Sequence, residues 1–295
     1  MITIKEALTK KEMKDYVMFS FELYKNNPYW IPPIIAEELE TFDKTKNPAL
    51  KTAEAHFYLA YKDNKIVGKI AAIINWEEVN LLEKRKVRFG WFDVIDDIEV
   101  TKALLNKVEE LGRKHNMDHM EGPMGFSNLD KVGVLSEGFD QLGNMITWYS
   151  LPYYITHFEQ LGLVKEKEYI ESDFSFNGIN PEPFQKASEL IKKRYELRCL
   201  NFTKTKDIMP YVDKMFDLFN ETYSKLQSFV PINDIQKEYF KKKYIGFINP
   251  EFIKFIMDKD DNMVAFAIVM PGFAQALKKA NGKLFPFGFY HLLQA

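Results

Sequence analysis

The 295 residues carry 40 Lys and Arg against 42 Asp and Glu, with no long run of either sign. This excludes an electrostatic groove for nucleic acid and a basic face for anionic membranes. Hydrophobic residues make up 46%, including 25 Phe and 15 Tyr, a composition of packed globular domains and not of disorder. The single cysteine, Cys199, excludes an intrachain disulfide and, without a His/Cys cluster, a structural zinc site.

The first 11 residues lack the apolar core of a signal peptide, and no stretch reaches the length of a membrane span. A cytoplasmic protein with no membrane span is expected. Residues 1–8 predict a strand and 11–25 a helix, with Tyr16, Phe19, Leu23 and Tyr24 at core spacing. Pro28, Pro32 and Pro33 end it, and a short helix is expected over 34–41. Strands over 57–62 and 66–74 flank a turn at Asp63 and Asn64; the second is almost continuously apolar, as a strand buried on both faces would be. A strand follows over 87–94, then a helix over 100–115 with Val100, Leu104, Val108 and Leu111 on one face. Next come a strand over 117–124, a glycine-bearing loop over 125–143, a helix over 155–161, a strand over 165–176 and a helix over 183–193.

The opening order then recurs. A strand is expected over 197–202, a helix over 208–226, a break at Val230-Pro231-Ile232, a helix over 234–244, Asn249-Pro250, and a hairpin of 252–258 and 263–270. Asn249-Pro250 echoes Asn47-Pro48, and Lys259, Asp260 and Val264 align with Lys62, Asp63 and Val67 at one offset. The ordered set reads as internal duplication. The predicted domains are residues 1–195, a complete copy, and 196–295, the N-terminal half of a second; a helix is expected over 288–295.

Strand, two helices, hairpin, then strand–helix–strand–helix–strand is the element order of GNAT acyltransferases. The chain resembles a bacterial group of tandem GNAT-like proteins through Asn27-Pro28-Tyr29-Trp30-Ile31-Pro32-Pro33, Asn47-Pro48 with Ala53-Glu54-Ala55, and the run from Val67 to Asn75. Glu121-Gly122-Pro123 and Glu137-Gly138-Phe139-Asp140 extend the resemblance. It implies an α/β fold with a mixed sheet flanked by helices, duplicated and with the second copy incomplete. It also implies transfer of an acyl group from acyl-CoA to a small-molecule amine, with acetyl-CoA or another acyl-CoA held by a longer parent chain.

In that family a glycine-rich turn at a helix start holds the cofactor's pyrophosphate on backbone N–H groups. Here the turn reads Val94-Ile95-Asp96-Asp97-Ile98-Glu99, with carboxylates in place of donors, so the first copy is expected to cap its own helix and not to hold CoA in the usual way. The family's proton-donating Tyr corresponds to Phe158 in His157-Phe158-Glu159-Gln160-Leu161-Gly162, which cannot donate; Tyr154 and His157 are the substitute catalytic candidates. The loop after the 117–124 strand offers Gly122, Asn128, Asp130 and Glu137 as ligand-binding candidates. No metal site is expected. A non-catalytic binding or interaction scaffold is the alternative, and an incomplete second copy would leave Phe285, Phe287, Phe289 and Tyr290 free to form a homodimer.

Overall fold

The computed structural model describes every residue except 128, 227, 247 and 295. It divides into two compact units, Met1–Val164 with Gly272–Ala295, and Lys165–Pro271.

The first unit is built on a five-stranded sheet: β1 (Ile2–Glu6), β2 (Ala53–Lys62), β3 (Lys65–Asn75), β4 (Lys86–Val94) and β5 (His119–Glu121), in that spatial order. The first three pairings are antiparallel, and β4 with β5 is parallel. Asp63 and Asn64 both take the left-handed conformation that a tight hairpin requires. The helices are α1 (Lys10–Leu23), α2 (Ile35–Thr41), α3 (Trp76–Leu82), α4 (Ile98–Lys114) and α5 (Tyr153–Gln160). Thr9 starts α1 with a capping box, its hydroxyl accepting from Glu12 N while the Glu12 carboxylate accepts from Thr9 N.

The apolar run of β3 serves two cores. Ile70, Ala72 and Ile74 face α4 and α5, packing with Val100, Leu104, Val108, Leu111 and Phe158. Ala71 and Ile73 face the other way, toward Tyr16, Val17, Phe42, Phe57 and Phe126. Period-two alternation with both faces covered explains why no polar face shows in the sequence. Each such aliphatic or aromatic side chain contributes about 1.5–3 kcal/mol when fully buried. A Cβ on Gly68 would stand 2.9 Å from Leu104 Cδ1, so α4 lies against β3 only because that side chain is missing.

A buried charge cluster ties α3, β4 and β5 together. Glu78 takes Arg88 Nη2 and Lys86 Nζ at 2.9 Å each, and Lys86 also bonds Glu121. Arg88 is fully buried and donates to the carbonyl of Gly125 at 3.1 Å. Asn75, the N-cap of α3, bonds the carbonyl of Phe126 at 3.0 Å. The start of the loop after β5 is therefore held to the sheet from below.

The second unit contains α6 (Glu182–Tyr195), α7 (Thr205–Ile208), α8 (Val212–Tyr223) and α9 (Asp234–Phe240), with a three-stranded antiparallel sheet, β6 (Arg198–Asn201), β7 (Ile253–Met257) and β8 (Met263–Ile268). Its strand order and antiparallel pairing repeat those of β1–β3, with a longer turn in the hairpin. Asn47 and Asn249 open matching 3-10 turns, each accepting from the backbone N–H two residues on at 3.0 Å. The expected helix over 208–226 is interrupted by a 3-10 turn at Met209–Tyr211, where Pro210 has no N–H to donate.

The expected strand over 165–176 does not form, and residues 165–180 are exposed throughout. Lys165, Glu166, Lys167 and Glu168 put charge on both faces of any strand there, and β5, three residues long, is the last strand of its sheet. Residues 272–295 carry α10 (Ala274–Ala280) and α11 (Gly288–Leu293). They pack with the first unit, where Ile35 N donates to the Gly282 carbonyl at 2.9 Å and Lys278 reaches the Pro28 carbonyl. The sequence boundary at 195/196 thus falls inside the second compact unit.

Glu78→Gln leaves Arg88 and Lys86 buried without their shared counter-charge. The substitution is expected to lower unfolding stability by about 3–5 kcal/mol, read from the shift of the urea midpoint against wild type.

Candidate functional site

β4 carries a bulge. Lys69 pairs with Asp93 and Ala71 with Gly90, so Trp91 and Phe92 together oppose Ile70. Trp91 adopts φ +44°, a conformation that an aromatic residue holds only when its surroundings fix it. Its indole N–H donates to Glu38 of α2 at 2.8 Å. Just before the bulge, a Cβ on Gly90 would stand 2.2 Å from the Met124 carbonyl oxygen, so the chain after β5 lies directly on β4. Beyond the paired positions 86–88 and 119–121, the chain turns from Gly122 into the loop.

Past the bulge, Asp93 is the hub of the unit. Its carboxylate accepts from Ser20 Oγ at 2.6 Å, Tyr24 OH at 2.9 Å and Tyr154 OH at 3.2 Å, and faces Lys69 Nζ at 3.3 Å. Lys69 is almost fully buried and lies over the Tyr16 ring. The Tyr24 and Tyr154 hydroxyls stand 3.1 Å apart, and Val94 N donates to Tyr154 OH at 3.1 Å. Burial, then the Asp93 charge, pushes both tyrosines well above the ordinary phenol range, so both stay protonated.

A cleft with about 50 Å³ of room for water opens onto this hub. Trp30, Trp91, Trp148 and Tyr149 line it with Glu38 and Lys131. Three of the chain's four tryptophans are therefore here. The Tyr149 hydroxyl donates to the Phe139 carbonyl at 2.7 Å, and Tyr24 stacks on Trp30 at 5.2 Å, so the aromatic wall is fixed.

The N-terminus of α4 lies beside a separate, open depression lined by Asp96, Asp97, Tyr153 and His157. Asp97 caps the helix, accepting from Glu99 N at 3.1 Å, and bonds Lys62 Nζ at 2.8 Å. His157 is held between Thr101 Oγ1 at 2.9 Å and Asp96 Oδ1 at 3.1 Å. Asp97 thus caps the helix, as the sequence implied, while Asp96 bonds His157.

Of the two catalytic candidates, Tyr154 lies in the cleft and His157 lies outside it. Gly122 and Asp130 shape the loop: a Cβ on Gly122 would meet the Phe89 carbonyl oxygen at 2.3 Å, and the Asp130 carboxylate accepts from Ser127 N at 2.9 Å. Burial pushes that carboxyl up. Glu137 is exposed, Asn128 falls outside the described residues, and the loop lines the cleft with Pro123, Lys131, Gly133 and Val134 instead. Among the described residues, no cluster of His, Cys, Asp or Glu is arranged to hold a metal, and no helix is long and apolar enough to cross a membrane.

Sequence reading passed over Asp93, Lys69, Ser20, Tyr24 and Lys131. A signal existed for the first two: Lys69 is the only charge within 66–74, and Asp93 follows the uncharged run 89–92 on the neighbouring strand.

Asp97→Ala removes a cap and the Lys62 partner, and is expected to cost about 1 kcal/mol near neutral pH. Lys62 is the chief cause that lowers the Asp97 carboxyl, so its contribution is present above the ordinary carboxylate range and is lost as pH falls through the lowered pKa. Thermal melts of wild type and variant should converge on acidification.

No family model matches the chain. It is 27% identical over 295 residues to protein YghO of Escherichia coli strain K12, covering 98% of this chain and 73% of that one. It is 24% identical over 287 residues to the bacterial ceramide synthase of Caulobacter vibrioides, covering 97% and 74%. Among solved structures it is similar to a tandem GNAT protein from the clavulanic acid biosynthesis pathway, at 10% identity and TM-score 0.47, over 92% of this chain and 76% of that one. An aminoglycoside acetyltransferase from an uncultured soil metagenomic sample matches at 12% identity and TM-score 0.35, over 60% and 97%. The chain's own strand order, bulged fourth strand and α4 crossover give it a GNAT-like mixed α/β fold, and β6–β8 repeat its opening strands.

Proposed function

We propose that the chain is an N-acyltransferase that moves an acyl group from a thioester to the amine of a long-chain amino alcohol, with residues 1–195 as one GNAT-like copy and 196–295 as the opening half of a second. The reading rests on the Asp93 hub, where Tyr154 and Tyr24 stand loaded with protons beside a bulged β4 under a closed aromatic wall. In this scheme the amine nitrogen attacks the thioester carbon, the backbone at the bulge supports the developing oxyanion, and Tyr154 hands its proton to the departing sulfur. The acceptor class is supported by the similarity to a ceramide synthase, since ceramide is the amide of such an amine. In this scheme the head group would enter the cleft, whose apolar lining includes Ile31, Pro33 and Val134. A cytoplasmic setting fits the single free cysteine.

The self-capped α4 supports a donor whose nucleotide is not gripped in the first copy. It also favours the second reading, a GNAT-like scaffold that binds without turnover. The exposed Phe285, Phe287 and Tyr290 are compatible with pairing of two such chains, and a monomeric mass in solution would exclude it.

The test is incubation of the full chain with sphinganine and either palmitoyl-CoA or palmitoyl-pantetheine, with the N-acyl product followed by mass spectrometry. Product is expected from both donors, with kcat/KM within about threefold because the nucleotide adds little binding. Tyr154→Phe should lower kcat by about 10²-fold or more. Absence of product from either donor would leave the scaffold reading.

A further inference from the structure

An acceptor amine arrives as an ammonium ion and must lose a proton before it can attack. Asp93 is already engaged. Its carboxylate accepts three hydroxyl bonds and faces Lys69. Tyr24 and Tyr154 are already protonated, and Glu38 is engaged by the Trp91 indole. His157 lies outside the cleft between Thr101 and Asp96.

Lys131 remains. It lines the same cleft, half-buried, and among the described residues it forms no hydrogen bond or ion pair. The loop that carries it is pinned on both sides. Gly133 N donates to the Pro123 carbonyl at 2.7 Å, Met124 and Val132 form a bridge, and Asp130 closes the turn onto Ser127. The charged groups near it are Glu38 from α2, Asp93 from β4 and Lys69 from β3, with the Tyr149 and Tyr154 hydroxyls in the same cleft.

We propose that Lys131, which faces the cleft beside Asp93 and Tyr154, takes the proton from the acceptor ammonium. Burial, the largest influence on it, pulls its ammonium below the usual lysine range; Lys69 acts in the same direction, Glu38 and Asp93 against it. The step balances. The ammonium gives one proton to Lys131 Nζ, and the freed lone pair forms the N–C bond. The C–S bond then breaks, sulfur receives the Tyr154 proton, and Tyr154 recovers one from the acylated nitrogen. Lys131 returns its proton to water after the amide leaves.

The inference rests on the N-acyltransferase reading of the same cleft, and two measurements separate them. In the first, wild type, Lys131→Arg and Lys131→Met are assayed with sphinganine and palmitoyl-CoA across the neutral to mildly alkaline range, with amine binding followed by tryptophan fluorescence. Both variants should bind amine within about threefold of wild type and lose about 10²-fold or more in kcat. The rise of the wild-type rate with pH should be absent from the residual activity. Lys131→Arg retaining more than about a tenth of kcat overturns the proposal, because a fixed cation would then suffice. In the second, trace acetylation with acetic anhydride is followed lysine by lysine. Lys131 should become reactive at lower pH than the surface lysines. If its reactivity follows theirs, the proposal fails whether or not the wild type turns over. A wild type without product, under either donor, removes the reaction and this step together.

Discussion

A buried lysine and a part-buried aspartate opposite each other on β3 and β4 set the terms for the first unit. Leaving either charge alone in that position would cost several kcal/mol, so the surrounding elements are arranged to satisfy the pair. α1 contributes Ser20 and, at its C-cap, Tyr24; α5 contributes Tyr154; Tyr16 offers Lys69 its ring face. The β4 bulge belongs to the same solution. By adding a residue between Gly90 and Asp93 it brings the carboxylate to its partner while turning Trp91 toward Glu38. The cleft is the space left above this assembly, and its position follows from the pair.

A second buried cluster, around Glu78, does different work. Arg88 and Lys86 are held by Glu78 of α3, and Arg88 also by the loop carbonyl of Gly125. They hold the base of the loop, while the Asp93 hub faces the opening that the loop covers. The two clusters look alike in sequence, as charges interrupting apolar strands. They differ in that Asp93, Lys69 and Ser20 line the cleft.

Much of the architecture could be read from the residues. The hairpin of β2 and β3, the amphipathic face of α4, the cap at Asp97 and the recurrence of strand, helices, Asn-Pro and hairpin all depend on local pattern, and each is present. The hub was missed because it depends on pairing between distant segments: Ser20 and Asp93 are 73 residues apart, and Tyr24 and Tyr154 are 130 apart. Tyr154 was reachable because helical spacing put it one turn from Phe158. The loop candidates were chosen for polarity and glycine content, but Gly122 and Asp130 owe those features to close packing and turn closure. The strand expected over 165–176 followed the family's element order, but the segment opens on four charged residues and β5, three residues long, ends its sheet.

The carboxylate at the start of α4 has a consequence for any anion that approaches. The helix end behaves as a binding site with its ligand already attached. Asp97 is tethered within reach of the Glu99 N–H, so its local concentration far exceeds what a free nucleotide reaches in solution. Lys62 reinforces that occupancy. A diphosphate would have to displace the protein's own side chain and break an ion pair to reach the same N–H.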